Sequence, residues 1–150
     1  MAIQAQNTKL YAKLTGDATA SYVEVGCIQS IGDIDLGTRE IVNVDCLSST
    51  DVDKVLGTTS LGSMDIVYTF NETEPKGNGI LKTAHDATNT TKVDIKIELS
   101  NSLTETGNGT YFEFVAIVPS YKISDISKNA FIKSSVKLEM TTRPTVTSAT

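Results

Sequence analysis

The sequence alternates between apolar and polar residues in several short segments, and this pattern constrains the fold more than any other feature. The clearest segment, 92–99 (KVDIKIEL), places four aliphatic side chains on one face and four charged side chains on the other. Segments 135–140 and 62–70 repeat the arrangement. A period of two residues is typical of strands that are buried on one face only. The sequence therefore predicts a mainly β protein.

Further strands are indicated by less regular patterns. Segment 110–118 is apolar on both faces, which predicts a central strand that is covered on both sides. Weaker patterns predict strands over 8–14, 21–31, 39–47 and 131–134. The chain should therefore consist of many short strands that are joined by turns.

A helical pattern interrupts the strands once, between residues 75 and 87. There the apolar residues Ile80, Leu81, Ala84 and Ala87 fall on one side of a helix of about ten residues. A single short helix among strands covers one face or one end of a sheet. The predicted fold class is a two-sheet β-sandwich or partial barrel with one short flanking α-helix.

The length of 150 residues, 16.1 kDa, predicts a single domain over 1–150. Three segments lack a packing pattern of their own: a flexible N-terminus over about 1–7, a long polar loop over about 48–60, and a Thr-rich tail over about 141–150. Long loops in a compact domain are usually functional or disordered. We expect the loop and the tail to become ordered only against a partner.

The composition disfavours catalysis and metal binding. The net charge is −5, there is no Trp, and His85 is the single histidine. No phosphate-binding or dinucleotide-binding fingerprint is present, and the acidic pairs Asp33/Asp35 and Asp51/Asp53 lack the further ligands of a calcium loop. No nucleophile pairs with His85 at a recognisable spacing. We therefore expect no enzyme activity and no catalytic, cofactor-binding or metal-binding residues.

The N-terminal residues lack the pattern of a secretory signal, and the apolar runs are far shorter than the ~20 residues of a membrane span. We therefore expect synthesis in the cytosol and no membrane association. Cys27 and Cys46 are then expected to be reduced core residues rather than a disulfide, although the sequence does not show whether they are close in space.

Charge is distributed unevenly along the chain. Residues 1–75 carry 4 basic and 11 acidic side chains, whereas residues 76–150 carry 9 and 7. The acidic side chains are concentrated between residues 33 and 53, and the late basic ones are Lys122, Lys128, Lys133, Lys137 and Arg143. Two unlike surfaces allow head-to-tail association into rings or open stacks. The alternative is that both regions are simply solvated.

The order of these segments resembles the tail tube (major tail) protein family of long-tailed bacteriophages, over residues 10 to about 144. The most specific matches are the final alternating strand that leads into Arg143-Pro144, and segment 26–35 followed by 41–47. The resemblance implies a structural virion protein that forms stacked hexameric rings. These rings make a hollow tube that delivers double-stranded DNA into the host.

In that family the long loop and the chain ends reach neighbouring subunits. The resemblance therefore implies inter-ring or subunit contacts at Ser48, Ser49, Thr50, Asp51, Asp53, Lys54, Arg143 and Pro144. A channel for DNA should repel phosphates, and we predict that Asp65 and Glu139 line it because they lie opposite the core face of their strands.

The resemblance also implies partners and a location. The partners are further copies of the chain, the tape-measure, tail-tip and tail-terminator proteins, and DNA in passage; the location is the virion tail, assembled in the host bacterial cytoplasm. One alternative is the tube protein of a contractile tail or a type VI-like injection machine. The other is a stand-alone β-sandwich binding module, which 6% aromatic residues without Trp make a poor sugar binder.

Overall fold

The structure is a computed structural model that describes residues 7–16, 21–26, 28–44, 53–70 and 76–150. These residues form ten strands and one helix, which confirms the mainly β prediction. The elements are β1 (Lys9–Leu14), β2 (Val23–Val25), β3 (Ile28–Ile31), β4 (Thr38–Val44), β5 (Asp53–Ser60), β6 (Ser63–Thr69), α1 (Lys76–Asp86), β7 (Lys92–Glu98), β8 (Tyr111–Ser124), β9 (Lys133–Met140) and β10 (Thr145–Thr147).

Eight strands form an antiparallel sheet in the order β2-β1-β7-β8-β9-β6-β3, with β10 paired to β8. The strands β2 and β3 lie at opposite edges of this sheet, yet only two residues separate them in the sequence. Because two residues span less than about 11 Å, the sheet must curl until its edges approach each other. The result is the partial barrel that the sequence predicted, with β4 and β5 forming a separate two-stranded sheet.

The core lies on the concave face of the curled sheet. Alternate residues of β1, β6, β7, β8 and β9 point into it, and α1 packs over β1, β2, β7 and β8. Each large aliphatic side chain that is buried in this way contributes about 1.5–3 kcal/mol to folding. The buried apolar residues are Leu10, Ala12, Val25, Met64, Ile66, Tyr68, Leu81, Ala84, Val93, Ile95, Ile97, Phe114, Ala116, Val118, Val136, Leu138 and Met140.

The prediction of a loop over 48–60 is wrong for its second half. Residues 53–60 form β5, which pairs with β4 from Thr38↔Ser60 to Val44↔Asp53. The two strands do not join the core, so their side chains lack the alternation that identifies a half-buried strand. Residues 48–52 lie outside the described part of the chain, as do Cys27 and Cys46.

The C-terminal tail also contains a strand that the sequence did not predict. β10 pairs with the first residues of β8, where Thr145 lies opposite Glu113. The amide of Thr150 donates to the carbonyl of Asn108 over 2.9 Å. The tail can pair there because β9 contacts β8 only from Ala116 onward, which leaves the edge of β8 before it available.

Two predicted strands differ in detail from the structure. β8 is fully buried only on the face of Phe114, Ala116 and Val118; Val115 and Ile117, on its other face, are half-buried. The predicted strands 131–134 and 135–140 form one strand, β9, which begins only at Lys133. The part of the chain that the structure describes contains no helix long and apolar enough to cross a membrane.

Candidate assembly interface

Three titratable side chains of α1, Lys82, His85 and Asp86, form a local cluster. Nζ of Lys82 lies 2.6 Å from Oδ2 of Asp86, and Nδ1 of His85 lies 3.1 Å from Oδ1 of the same residue. The hydrogen bond from Lys82 and, after it, the one from His85 lower the pKa of Asp86. Among the described residues, no three His, Cys, Asp or Glu side chains are grouped so that they could hold a metal ion.

The most conspicuous surface is the β4–β5 hairpin, which we call the arm (residues 38–44 and 53–60). Its aliphatic side chains project into solvent: Ile41 is 62% exposed and Leu56 is 59% exposed, and Val42, Val44 and Val55 are also exposed. Within the described residues β4 and β5 pair only with each other. The arm therefore presents apolar side chains together with unpaired strand edges, and such surfaces are typical of protein contacts.

The base of the arm is held by polar contacts. Oδ1 of Asp35 accepts a hydrogen bond from the amide of Gly37 over 2.8 Å, and Gly37 has a positive φ of 98°. Nε of Arg143 donates to the carbonyl of Leu36 over 2.9 Å. Within the arm, Nε of Arg39 donates to the carbonyl of Gly57 over 3.3 Å. These contacts fix the direction in which the arm leaves the barrel.

The predicted contact residues are only partly accessible. Arg143 is exposed beside the base of the arm, whereas Pro144 is buried and has little surface to offer another subunit. Lys54 is exposed on β5, opposite Asn43, and Asp53 lies in β5 opposite Val44. Outside the described residues lie the remaining predicted contacts, Ser48, Ser49, Thr50 and Asp51.

The two predicted channel-lining residues lie on neighbouring strands and on the same face of the sheet. Asp65 on β6 is opposite Lys137, and Glu139 on β9 is opposite Ser63. Both carboxylates face away from the core, because the residues that flank them in each strand are buried. Asp65 is exposed and Glu139 is half-buried. Lys137 between them makes this face mixed in charge rather than purely acidic.

The outer face of β1, β7 and β8 carries charges that are paired within the chain. Nζ of Lys13 lies 3.8 Å from Oδ2 of Asp94, and Nζ of Lys96 lies 4.0 Å from Oε2 of Glu98 and 4.4 Å from the ring centre of Tyr111. Burial, followed by nearby carboxylates, raises the pKa of Tyr22, beside Lys13, to about 12. The two ion pairs thus join four charged side chains of this face, Lys13, Asp94, Lys96 and Glu98, within the chain.

A second exposed apolar feature is the turn between β8 and β9, residues 125–132, which we call the tip. Phe131 is 79% exposed and Ile126 is 74% exposed. Oδ2 of Asp125 lies 3.3 Å from Nζ of Lys133 across the base of the turn. The sequence pattern predicts a strand over 131–134 and therefore does not identify Phe131 as a surface residue. The available signal was an aromatic residue beside a polar turn.

A cavity of about 400 Å³, which we call the seam pocket, opens between β3, at one edge of the sheet, and the residues that precede β1 and end β7. Its apolar lining comes from β3, the segment after it, and the end of β7. The hydroxyl of Thr8 lies at this seam, buried and without a hydrogen-bond partner. The apolar residues that line the pocket are Ile28, Ile31, Ile34, Ile97 and Leu99.

Comparison of the fold with solved structures finds several similar chains. One in the anti-feeding prophage baseplate has a TM-score of 0.69 and 11% identity, over 99% of this chain and 96% of that one. One in the sheath/tube terminator of an extracellular contractile injection system, PVC, has a TM-score of 0.70 and 12% identity, over 99% and 98%. The SPP1 tail tube has a TM-score of 0.68 and 16% identity, over 98% and 80%.

The similarity covers nearly the whole of this chain, including the barrel and the arm. The protein therefore has a tail-tube fold, the fold that it shares with the SPP1 tail tube and with chains of contractile injection systems. No family model matches the sequence, and no curated protein matches it.

Proposed function

We propose that the chain is the subunit of a tail tube: a structural, non-enzymatic virion protein that forms stacked hexameric rings through which double-stranded DNA passes. The tail-tube fold supports a role of this kind, and one observation carries the step to self-assembly. This observation is the arm, a hairpin whose aliphatic side chains and strand edges are left without a partner among the described residues.

An isolated two-stranded hairpin is marginally stable in water. The arm is attached to the barrel at its base, but this attachment does not bury the apolar side chains of Ile41 and Leu56. Contact with another protein would bury them and pair the free strand edges. A second copy suits this role, because a contact between two different patches of one chain repeats from copy to copy and builds rings or stacks.

The remaining predictions of the sequence belong to the same proposal. Ser48, Ser49, Thr50, Asp51, Asp53, Lys54 and Arg143 would contribute to subunit contacts through the arm and its base. Asp65 and Glu139 would face the channel and keep phosphates from binding. Tape-measure, tail-tip and tail-terminator proteins would be further partners, and assembly would take place in the host cytoplasm before the subunit becomes part of the virion tail.

The tube of a contractile machine is the second candidate function. Several of the structures with the same fold come from contractile systems, among them a sheath-tube complex at a TM-score of 0.65 and 11% identity. In that case the outer surface of the tube would also have to bind a sheath. The two candidate functions can be distinguished by testing whether a sheath protein from the same source binds to assembled tubes.

The experiment for the central proposal compares the wild type with an Ile41→Ser/Leu56→Ser variant by size-exclusion chromatography with light scattering. Both positions are exposed, so the variant should keep the unfolding transition of the wild type. We expect concentration-dependent assembly of the wild type and at least a tenfold higher threshold concentration for the variant. The matched control is Leu103→Ser, which changes another strongly exposed leucine outside the arm. Equal assembly of the arm variant and the control would refute the proposal.

A further inference from the structure

Two surface features outside the arm have opposite shapes: the tip is a projection that carries Phe131, and the seam pocket is an apolar recess. We propose that Phe131 of one copy inserts into the seam pocket of the next copy. This contact rests on the proposed self-assembly and identifies the two surfaces that meet.

The seam pocket fits an aromatic side chain. Its volume is about 400 Å³, and an apolar cavity of about 150 Å³ already holds benzene. Five aliphatic residues line it, among them Ile31, Ile34 and Leu99. An exposed aromatic ring that enters such a recess loses a large apolar area to water, and contacts of this kind dominate many interfaces.

The tip holds Phe131 in an exposed position. The Asp125–Lys133 ion pair and the hydrogen bond from the amide of Phe70 to the carbonyl of Ile132, 2.9 Å long, fix the base of the turn. Phe131 and the neighbouring Ile126 project beyond this base. A fixed turn loses less conformational entropy on binding than a mobile one.

The seam pocket has two sides that lie at different distances from the tip. Leu99 of the pocket donates its amide to the carbonyl of Thr110, directly before β8 begins, whereas the tip follows Ser124, where β8 ends. On the other side of the pocket, Nε2 of Gln29 donates to the hydroxyl of Thr69 over 3.4 Å, and Thr69 lies opposite Lys133 at the base of the tip. Phe131 is nevertheless 79% exposed, so it does not occupy the pocket of its own chain. A contact between copies would join two different patches of the chain and would therefore repeat from copy to copy.

The charges around the two features are complementary. Asp33 and Asp35 flank the pocket residue Ile34, and Asp33 is exposed. Lys122 and Lys128, close to Phe131 in the sequence, are both exposed. Opposite charges around an apolar contact steer association and fix its orientation. These charges favour a contact between a tip and a seam pocket over a contact between two tips, because two tips would bring their lysines together.

Photo-crosslinking tests the contact directly. A photoreactive benzoylphenylalanine replaces Phe131, the protein is concentrated until it assembles, and the crosslinked peptides are identified by mass spectrometry after irradiation. We expect intermolecular crosslinks to residues 28–34 or 97–99. The same group at Leu103, which is 78% exposed, is the control and should give no crosslink to the pocket. Assembled protein whose position 131 crosslinks elsewhere, or not at all, would overturn the contact.

Two substitutions measure the contribution of the contact. Phe131→Ser removes the projecting ring, and Ser30→Trp fills the pocket from its rim. Each should raise the threshold concentration for assembly at least tenfold, while Leu103→Ser leaves it unchanged. If the wild type assembles and both variants assemble at the same threshold concentration as the wild type, the proposed contact is wrong but the proposed function stands. If the wild type remains monomeric at every concentration, with and without an extract of tail tips to initiate assembly, both are wrong.

Discussion

Arg143 and Leu36 are 107 residues apart in the sequence, and Nε of Arg143 donates to the carbonyl of Leu36 over 2.9 Å. The bond joins the end of β9 to the base of the arm. Because neither strand of the arm pairs with a strand of the barrel among the described residues, this bond helps to fix the direction in which the arm projects.

Removal of this bond should affect assembly more than folding. Arg143→Ala should lower the free energy of unfolding by only about 0.5–1.5 kcal/mol, the net value of one hydrogen bond. Hydrogen exchange at residues 38–44 should become faster, and the threshold concentration for assembly should rise. Lys92→Ala, which removes another exposed cation, is the control for charge. Unchanged exchange in the arm of the Arg143 variant would contradict the positioning role.

Gly37 should be intolerant of a side chain. Its φ is +98°, and a Cβ atom at this position would lie 2.8 Å from Cγ2 of Thr59. Gly16 has a similar φ of +89° but no atom within 4 Å of its Cβ position. Gly16→Ala should therefore cost about 1 kcal/mol of backbone strain alone, and Gly37→Ala should cost more. Urea denaturation of both variants measures the difference, and equal losses would show that contact with Thr59 is unimportant.

Stability should decline at alkaline pH because of Tyr68. Its hydroxyl donates to that of Tyr121 over 3.0 Å, and burial, followed by this hydrogen bond, raises its pKa above the ordinary value of 10.0. The folded protein thus holds a proton that the unfolded chain releases above pH 10, so the stabilisation is complete below pH 10 and is lost as the pH rises further. Tyr68→Phe should flatten this decline when unfolding is measured between pH 9 and pH 12. The same slope in both proteins would contradict the assignment.

The channel assignment can be tested with assembled tubes and labelled double-stranded DNA. Wild-type tubes should not retain DNA, whereas an Asp65→Lys/Glu139→Lys variant should retain it at low salt, because added lysines bind phosphates. Retention should disappear as the salt concentration rises. The control is Glu24→Lys/Glu105→Lys, which changes the net charge by the same amount at two exposed carboxylates outside β6 and β9. If the double variant retains no more DNA than this control, the two carboxylates do not line the channel.

Hydrogen exchange should show the arm becoming protected on assembly. The amides of β5 that face away from β4 have no partner within the described residues of a single chain. In the assembled state residues 53–60 should therefore exchange more slowly, while β7, central in the sheet, should be protected in both states. The measurement compares free and assembled protein by mass spectrometry. Equal exchange of residues 53–60 in the two states would refute contact through the arm.

Local sequence patterns predicted the elements whose side chains pack on the core. β7 was evident because Val93, Ile95 and Ile97 are all buried on one face, and α1 was evident because Leu81 and Ala84 lie one turn apart on its buried side. In both cases the burial of each residue follows from its position within a single element.

The elements that depend on distant partners could not be predicted in this way. Val55 and Leu56 of β5 are both exposed, so nothing in the segment marks a buried face. β10 exists because β9 leaves the first part of β8 unpaired, and the seam pocket exists because β3 comes close to residues beside β1 and β7 that are distant in the sequence. These features arise from strand pairing across the whole chain, which residue periodicity does not record.

The most direct test of the account is electron microscopy of the purified wild-type protein in negative stain at high concentration, with light scattering to follow the assembly. The account predicts rings with six subunits that stack into hollow tubes. Particles that remain monomeric at every concentration, with and without an extract of tail tips to initiate assembly, would contradict it.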